Sequence, residues 1–258
     1  VIAFVFNIMI QIFFAIPPVE LFKGFSIIKL FNMTYIVPLL WAWIPLIIGS
    51  FALRSDTLLI RSLGSHLPSG YLVYLNLISK IFSLSTSVMT IGIQIVLLPH
   101  LVEYITAKKY EKAIQNVSKA KLGAVLISLF VTVSLVLVGP FLIKLLFVGG
   151  KFTSADADIT ITLLPLFILP SIGWGINSVF FQPLLALRKQ LQLGLLYLMS
   201  LVLGWGIGTF ITSSIGPLPG ITSGLIVMLF TGIIGSEILW QYYKKKLIYI
   251  HHERNSSI

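Results

Sequence analysis

The segment AKLGAVLISLFVTVSLVLVGPFLIKLLFV, residues 120–148, decides the fold class of this chain. No charged residue stands between Lys121 and Lys144, and most of the residues between them are apolar. The hydrocarbon core of a bilayer is about 30 Å thick, and about 20 helical residues cross it. The segment therefore predicts a transmembrane helix.

Composition extends this prediction to the whole chain. Hydrophobic residues make up 57% of the 258 residues and charged residues 10%, and the mean hydropathy is +1.00. A soluble domain carries about 25% charged residues and cannot bury this much apolar surface. Similar apolar runs predict about seven spans, at residues 1–16, 35–63, 71–98, 120–148, 156–187, 190–212 and 219–243. The predicted fold class is an all-α polytopic membrane protein.

The basic residues predict which side of the membrane each loop faces. Thirteen of the 18 Lys and Arg residues stand in one set of alternate loops and in the C-terminal tail. Cytoplasmic loops are enriched in Lys and Arg, so these loops and the tail are predicted to be cytoplasmic. The same bias explains the net charge of +10, and no nucleic acid partner is expected.

Three regions follow from these spans and loops. Residues 1–34 are predicted to hold the end of a transmembrane helix and a cytoplasmic connector, 35–243 six further helices, and 244–258 a basic tail. Within the second region, residues 100–121 are polar with apolar residues near helical spacing. They predict a helix lying in the interface, with its lysines facing anionic headgroups, and a partner protein is the alternative. The missing initiator Met and the short first run predict a piece of a longer protein.

Proline and glycine interrupt two of the predicted spans. These residues are Pro38 and Pro45 in the second span, and Pro165, Pro170, Gly173, Gly175 and Pro183 in the fifth. They predict kinks, and the alternative is irregular backbone that lines a wet cavity. By contrast, the motif GWGIG at residues 204–208 predicts close helix packing, since it lies inside an apolar span.

The polar stretch GGKFTSADAD, residues 149–158, separates two apolar runs. Gly149 and Gly150 give the chain freedom to reverse direction. Thr153 or Ser154 is predicted to cap the next helix, and Asp156 suits the positive N-terminal end of that helix. The stretch therefore predicts an external turn between two spans.

Five polar residues inside the predicted spans are candidate substrate-binding residues. Lys80 stands within the third span, with Asn76 four residues before it. Arg54 and Arg61 share a face of the second span, and Asp56 projects about 200° from Arg54. Ionisable groups at membrane depth usually face a bundle interior or an aqueous cavity. A buried pair or a snorkelling side chain is one interpretation, and a cationic cavity for a phosphate-bearing substrate is the other, favoured for Lys80.

No catalytic constellation stands out in the sequence. The four histidines have no acidic residue at a metal-ligand or triad spacing, and there are no cysteines. No nucleotide-binding P-loop motif is present. We therefore expect no enzyme activity, no metal and no cofactor.

Three motifs at the ends of spans carry a family resemblance: IRSLGSHLPSGYL at residues 60–72, QIVLLPHLVEY at 94–104 and GKFTSADA at 150–157. They look like the "a-S-x-L-x-x-G" turn, the "a-t-v-L-L-P-x-L-s" signature and the "G-x-F-T-x-x-D-A" loop of the bacterial lipid II flippase family, the MurJ or MviN group. Their order fits the predicted topology from about residue 35 to residue 243.

The resemblance implies a 14-helix transporter of the MOP flippase superfamily, with two lobes around a central cationic cavity. This chain would form the second lobe, helices seven to twelve, and the missing first lobe would be its partner. Lys80 stands in the place of a functional arginine of the family's eighth helix and keeps the charge without the bidentate fork. The implied activity is alternating-access translocation of lipid II, a polyprenyl-diphosphate-linked peptidoglycan precursor, across the bacterial inner membrane. A lipid-linked anionic substrate and membrane lipids are the implied partners.

Other functions stay open at this level. An exporter of another lipid-linked oligosaccharide would use the same cationic cavity. A cation-coupled drug antiporter of the same superfamily would need acidic residues at membrane depth, and this chain has few. A non-transporting membrane scaffold is the third alternative.

Overall fold

The computed structural model describes residues 55–255, and the side chains of these residues except 87–90, 94 and 250–255. The first predicted span, most of the second, Pro38, Pro45 and the candidate site residue Arg54 lie outside the described residues. The total of seven spans, and the division of the chain into three regions, therefore stay predictions.

The described residues form helices joined by short turns. In chain order these are α1 (Asp56–Gly64), α2 (Tyr71–Thr106), α3 (Tyr110–Phe147), α4 (Ser154–Leu163), a 3₁₀ turn (Leu164–Phe167), α5 (Ile168–Phe180), α6 (Gln182–Ala186), α7 (Gln190–Ser214) and α8 (Pro217–Asn255). Four segments are long and apolar enough to span a membrane: α3, α4 to α6 taken together, α7, and α8 as far as Tyr249. α2 makes a fifth when its two halves are counted as one span. The prediction of an all-α polytopic membrane protein is confirmed.

Successive long helices run in opposite directions, so their turns gather at two ends of the bundle. One end, which we call the glycine end, holds the turns at residues 65–70, 148–153 and 215–216. Gly70, Gly150 and Gly216 take positive φ angles there. The other end, which we call the lysine end, holds the turns at residues 107–109 and 187–189 and the last turns of α8.

Each end has its own buried apolar cluster. Towards the glycine end, α2 contributes a stripe of Leu75, Ile78 and Phe82, all at most 1% exposed. Phe82 stacks on Phe167 of the 3₁₀ turn, with ring centres 6.4 Å apart. This stripe occupies one face of α2 and leaves the opposite face outside the core. Towards the lysine end, a second cluster joins α2, α3, α5 and α8; its fully or almost fully buried members are Leu97, Leu101, Ala113, Val117, Ala124, Val179 and Trp240.

The predicted interfacial helix at residues 100–121 is wrong. α2 continues to Thr106, a turn follows at 107–109, and α3 begins at Tyr110, so the polar stretch forms the ends of two long helices. Leu101, Ala113 and Val117 are buried in the lysine-end cluster. Their helical spacing was correct, but periodicity alone does not say whether an apolar face meets lipid or another helix.

The GWGIG prediction is confirmed, since α7 and α8 approach closely along their glycines. A Cβ atom added to Gly204 would lie 2.6 Å from the carbonyl oxygen of Gly224, and one added to Gly224 would lie 2.8 Å from that of Gly204. Gly208 faces α8 in the same way, where an added Cβ would lie 3.0 Å from the carbonyl oxygen of Gly220. Small residues four apart let two backbones pack this closely in a membrane.

The breakers of the fifth predicted span act in two different ways. Pro165 lies in the 3₁₀ turn after α4, and Pro183 lies at the start of α6 after the break at Phe181, so both mark real interruptions. Gly173 and Gly175 lie inside α5, which continues through both positions without a break. A Cβ on Gly175 would lie 2.1 Å from Ser128 Oγ, so this glycine allows α5 to pack against α3.

Candidate functional site

Lys80 lies on the face of α2 that is turned away from the packed core. It is exposed, and it projects about 200° from the buried Ile78, two residues earlier. Val73 and Leu84 on the same side are 62% and 65% exposed. With a rise of about 1.5 Å per residue, Lys80 lies about 14 Å along the helix from Tyr71, well below the glycine end. Lys80 makes no ion pair with any carboxylate in the described part of the chain.

Asn76 and Lys80 share one face of α2, one helical turn apart. Asn76 is half-buried, whereas Lys80 is exposed. Ser83, one turn further, donates its hydroxyl hydrogen bond to the Lys80 carbonyl oxygen at 3.2 Å. Asn76, Lys80 and Ser83 therefore form a polar stripe along α2, and Lys80 is its most exposed member.

The other described candidates, Asp56 and Arg61, lie on the short helix α1 at the glycine end. Asp56 is the first helical residue and is half-buried, and its carboxylate suits the positive N-terminal end of the helix. Arg61 lies in the last turn and is exposed. Five residues separate them, so they point about 140° apart around the helix and do not form one polar face.

The turn within residues 149–158 has one of the two caps that the sequence offered. Thr153 is the N-cap of α4, and it forms a capping box with Asp156. The Thr153 backbone N–H donates to Asp156 Oδ2 at 2.7 Å, and the Asp156 N–H donates to Thr153 Oγ1 at 3.3 Å. One further contact was not predicted: the Tyr74 hydroxyl of α2 donates to Asp156 Oδ1 at 2.5 Å. The segment GKFTSADA, residues 150–157, therefore links α4 to α2, the helix that carries Lys80.

An ion pair between a buried lysine and a partly exposed glutamate at the lysine end was missed by the sequence analysis. Lys121 was interpreted as a cytoplasmic loop residue, but it is only 9% exposed and pairs with Glu237 of α8. The rings of Phe180 and Trp240 lie 4.7 Å and 5.6 Å from its Nζ. Gln241 Nε2 donates to Glu237 Oε1 at 2.6 Å. No local signal in the sequence links two residues 116 positions apart.

Several polar side chains inside the helices are hydrogen-bonded within the bundle. Thr132 of α3 and Ser171 of α5 share a hydrogen bond of 2.7 Å, and the Tyr197 hydroxyl of α7 donates to Asn177 of α5. Ser128 donates to the Ala124 carbonyl at 2.6 Å. Among the described residues, no group of three or more His, Cys, Asp or Glu side chains is placed to hold a metal ion.

The fold and these residues define a multi-pass α-helical membrane protein with an exposed lysine on a long apolar helix, on a face outside its packed core. The sequence matches the family model described as "Lipid II flippase MurJ" over residues 1–254. The chain belongs to this family, as the three motifs predicted.

Two relatives show the extent of the similarity. The "Probable lipid II flippase MurJ" of Helicobacter pylori (strain ATCC 700392 / 26695) is 25% identical over 162 residues, 63% of this chain and 35% of the relative. The protein of the same name from Bdellovibrio bacteriovorus is 22% identical over 199 residues, 77% of this chain and 38% of the relative. The chain thus spans little more than a third of the length of these curated relatives. No solved structure matches the chain.

Proposed function

We propose that the protein acts in translocating lipid II, a peptidoglycan precursor, across the bacterial inner membrane. The observation that carries this proposal is the match of the lipid II flippase family to residues 1–254 of a chain built from membrane-spanning helices. The chain spans about 35% of the length of its relatives, and in this proposal it supplies one of the two lobes of the transporter. Residues 35–243 form the second lobe in this proposal, and two lobes rock to alternate access.

Lys80 binds the anionic diphosphate of the substrate in this proposal. Three observations support that role: its depth along α2, its exposure, and its position opposite the core stripe of Leu75, Ile78 and Phe82. A cation at membrane depth is costly unless an anion or water stabilises it. A face that is turned away from the core of this lobe is where a central cavity between two lobes would lie. Asn76, one turn away, supplies a hydrogen-bonding group to the same face.

The charges at the end of the second span have supporting roles in this proposal. Arg61 and Arg54 attract the anionic headgroup towards Lys80, and Asp56 orients neighbouring cations. Arg61 is exposed at the glycine end, which is compatible with contact to a headgroup there. The prenyl tail stays near lipid, since a chain of apolar carbons gains nothing from a cationic cavity.

The test is Lys80→Ala in the protein, compared with Leu84→Ala on the same exposed face of α2. We expect Lys80→Ala to abolish complementation of a flippase-deficient strain at unchanged protein abundance, whereas Leu84→Ala retains it. Lys80→Arg should retain activity, because it preserves the charge and adds a bidentate donor. Full complementation by Lys80→Ala would contradict this role for the lysine.

A further inference from the structure

The lysine end carries a recess that the flippase proposal does not use. Its volume is about 190 Å³, and Leu187, Lys189, Tyr243, Lys246 and Leu247 line it. It lies between the turn that joins α6 to α7 and the last turns of α8. Two lysine and two leucine side chains therefore line one space, next to an aromatic ring.

Lys189 is held in this recess by its aromatic neighbour. Its Nζ lies 4.9 Å from the centre of the Tyr243 ring, which is a favourable cation–π distance. The Tyr243 hydroxyl donates to Gln192 Oε1 at 2.6 Å, so the ring is fixed between α7 and α8. Lys189 makes no ion pair with any carboxylate of residues 55–255. The Tyr243 ring therefore holds the Lys189 ammonium group in place, and no acidic side chain within residues 55–255 neutralises its charge.

The backbone of this turn holds basic residues where glycine is the unstrained choice. Arg188 takes a left-handed φ of 57°, and the Lys189 N–H closes the turn on the Leu184 carbonyl at 2.9 Å. The turn between α2 and α3 repeats the pattern, with Lys108 at φ 58° and the Lys109 N–H on the Tyr104 carbonyl at 2.8 Å. A non-glycine residue in this region costs about 1 kcal/mol. The glycine end uses glycine in such positions, so the lysine end keeps its charge at a cost in stability.

The position of the recess along α8 corresponds to the edge of a membrane. Ile238, which precedes the recess residues along α8, is 63% exposed. Tyr242 and Tyr249, which precede and follow Lys246 in the sequence, are 62% and 64% exposed. Tyrosines concentrate at the interface between hydrocarbon and water. Lys246 and Lys189 therefore lie at the depth of lipid headgroups, and Leu187 and Leu247 offer apolar surface beside them.

We propose that this recess binds the headgroup of an anionic phospholipid. Lys189 and Lys246 contact its phosphodiester, and Leu187 and Leu247 contact the glycerol backbone and the first methylenes of its acyl chains. The combination of two cations with an apolar wall selects an amphiphile with a single negative group over a soluble anion, which would leave the leucines without a partner. This lipid site is separate from Lys80, and its occupancy does not require the protein to transport lipid II.

The experiment measures phospholipid adducts on the purified protein by native mass spectrometry in a neutral detergent. Phosphatidylglycerol is the probe, and zwitterionic phosphatidylcholine is the reference lipid. The recess variant Lys189→Ala/Lys246→Ala is compared with Lys112→Ala/Lys119→Ala, which removes the same charge from exposed positions on α3 outside the recess. We expect phosphatidylglycerol affinity to fall roughly 30-fold in the recess variant, about fivefold for each lysine, and to stay unchanged in the control.

Three outcomes would overturn the lipid site. Equal losses in the recess and control variants would show diffuse attraction to the basic end. Equal affinity for phosphatidylcholine and phosphatidylglycerol would show that the recess does not select lipids by the charge of their headgroup. Loss of the phosphatidylglycerol adduct when free glycerol phosphate is added at the same concentration as the lipid would show that the recess binds soluble anions. Lys189→Arg/Lys246→Arg keeps both charges and should keep the lipid, which separates loss of binding from loss of folding.

Discussion

Lys121 of α3 and Glu237 of α8 form an ion pair that joins two helices far apart in the sequence. The ammonium group is almost completely buried and lies over the rings of Phe180 and Trp240, while Gln241 bonds the second carboxylate oxygen. A buried charge is tolerated only when it is paired and its remaining hydrogen-bonding positions are satisfied. The pair therefore fixes how α8 packs on α3 at the lysine end.

Removal of one partner should be costly. Glu237→Gln leaves the Lys121 charge buried without its counter-ion, and we expect a loss of about 3 kcal/mol in the free energy of unfolding. The midpoint of thermal unfolding in detergent measures this loss. The double variant Lys121→Met/Glu237→Met should recover most of it, because Phe180 and Trp240 already offer an apolar site for the side chain at position 121. A single variant as stable as the unmodified protein would contradict the pairing.

The contact between α7 and α8 makes a prediction with a matched control in the same motif. Gly204→Ala places a Cβ 2.6 Å from the Gly224 carbonyl oxygen, so the helices must separate, at a cost of about 1–3 kcal/mol. Gly206→Ala has nothing within 4 Å of the new Cβ and should be neutral or stabilising by about 0.5 kcal/mol. Thermal unfolding of the two variants checks the difference. Equal effects would mean that helix propensity, and not the close approach, governs this segment.

The hydrogen bond from Tyr74 to Asp156 should stabilise the packing of the N-terminal end of α4 against α2. Tyr74→Phe removes only the hydroxyl, and we expect the N-terminal end of α4 to open more readily, because Asp156 then keeps only its bonds to Thr153. Tyr71→Phe is the control, since the same chemical change there removes no hydrogen bond to a described residue. Amide hydrogen exchange of residues 154–163 should rise in the first variant alone. Unchanged exchange would show that the capping box by itself holds the turn.

The orientation of the chain is open to direct measurement because it has no cysteine. Lys109→Cys and Lys245→Cys report on the lysine end, and Lys151→Cys reports on the glycine end. From the excess of basic residues we expect only Lys151→Cys to react with a membrane-impermeant maleimide in intact cells. Labelling of all three after permeabilisation is the control for accessibility. The reverse pattern in intact cells would place the basic tail outside.

Particular residues show where prediction from sequence worked. A short local pattern predicted Thr153 or Ser154 as the cap and Asp156 in the first turn, and the position of GWGIG inside an apolar span predicted a packing surface. Both features depend on residues within a few positions of one another, where helix geometry fixes which side chains meet. Leu101 and Val117 show the limit, because the apolar spacing that suggested a lipid-facing helix belongs to the buried cluster around Trp240.

By itself, the sequence determined that the chain spans a membrane, that it is helical, and to which family it belongs. These properties follow from composition and from local motifs, since every backbone polar group in a bilayer must be bonded within its own helix. Only the tertiary structure decided that Lys121 is buried against Glu237, that Tyr74 reaches Asp156, and that Lys189 and Lys246 share one recess. These contacts join residues on different helices, and such distances are set by how the helices pack and not by spacing along the chain.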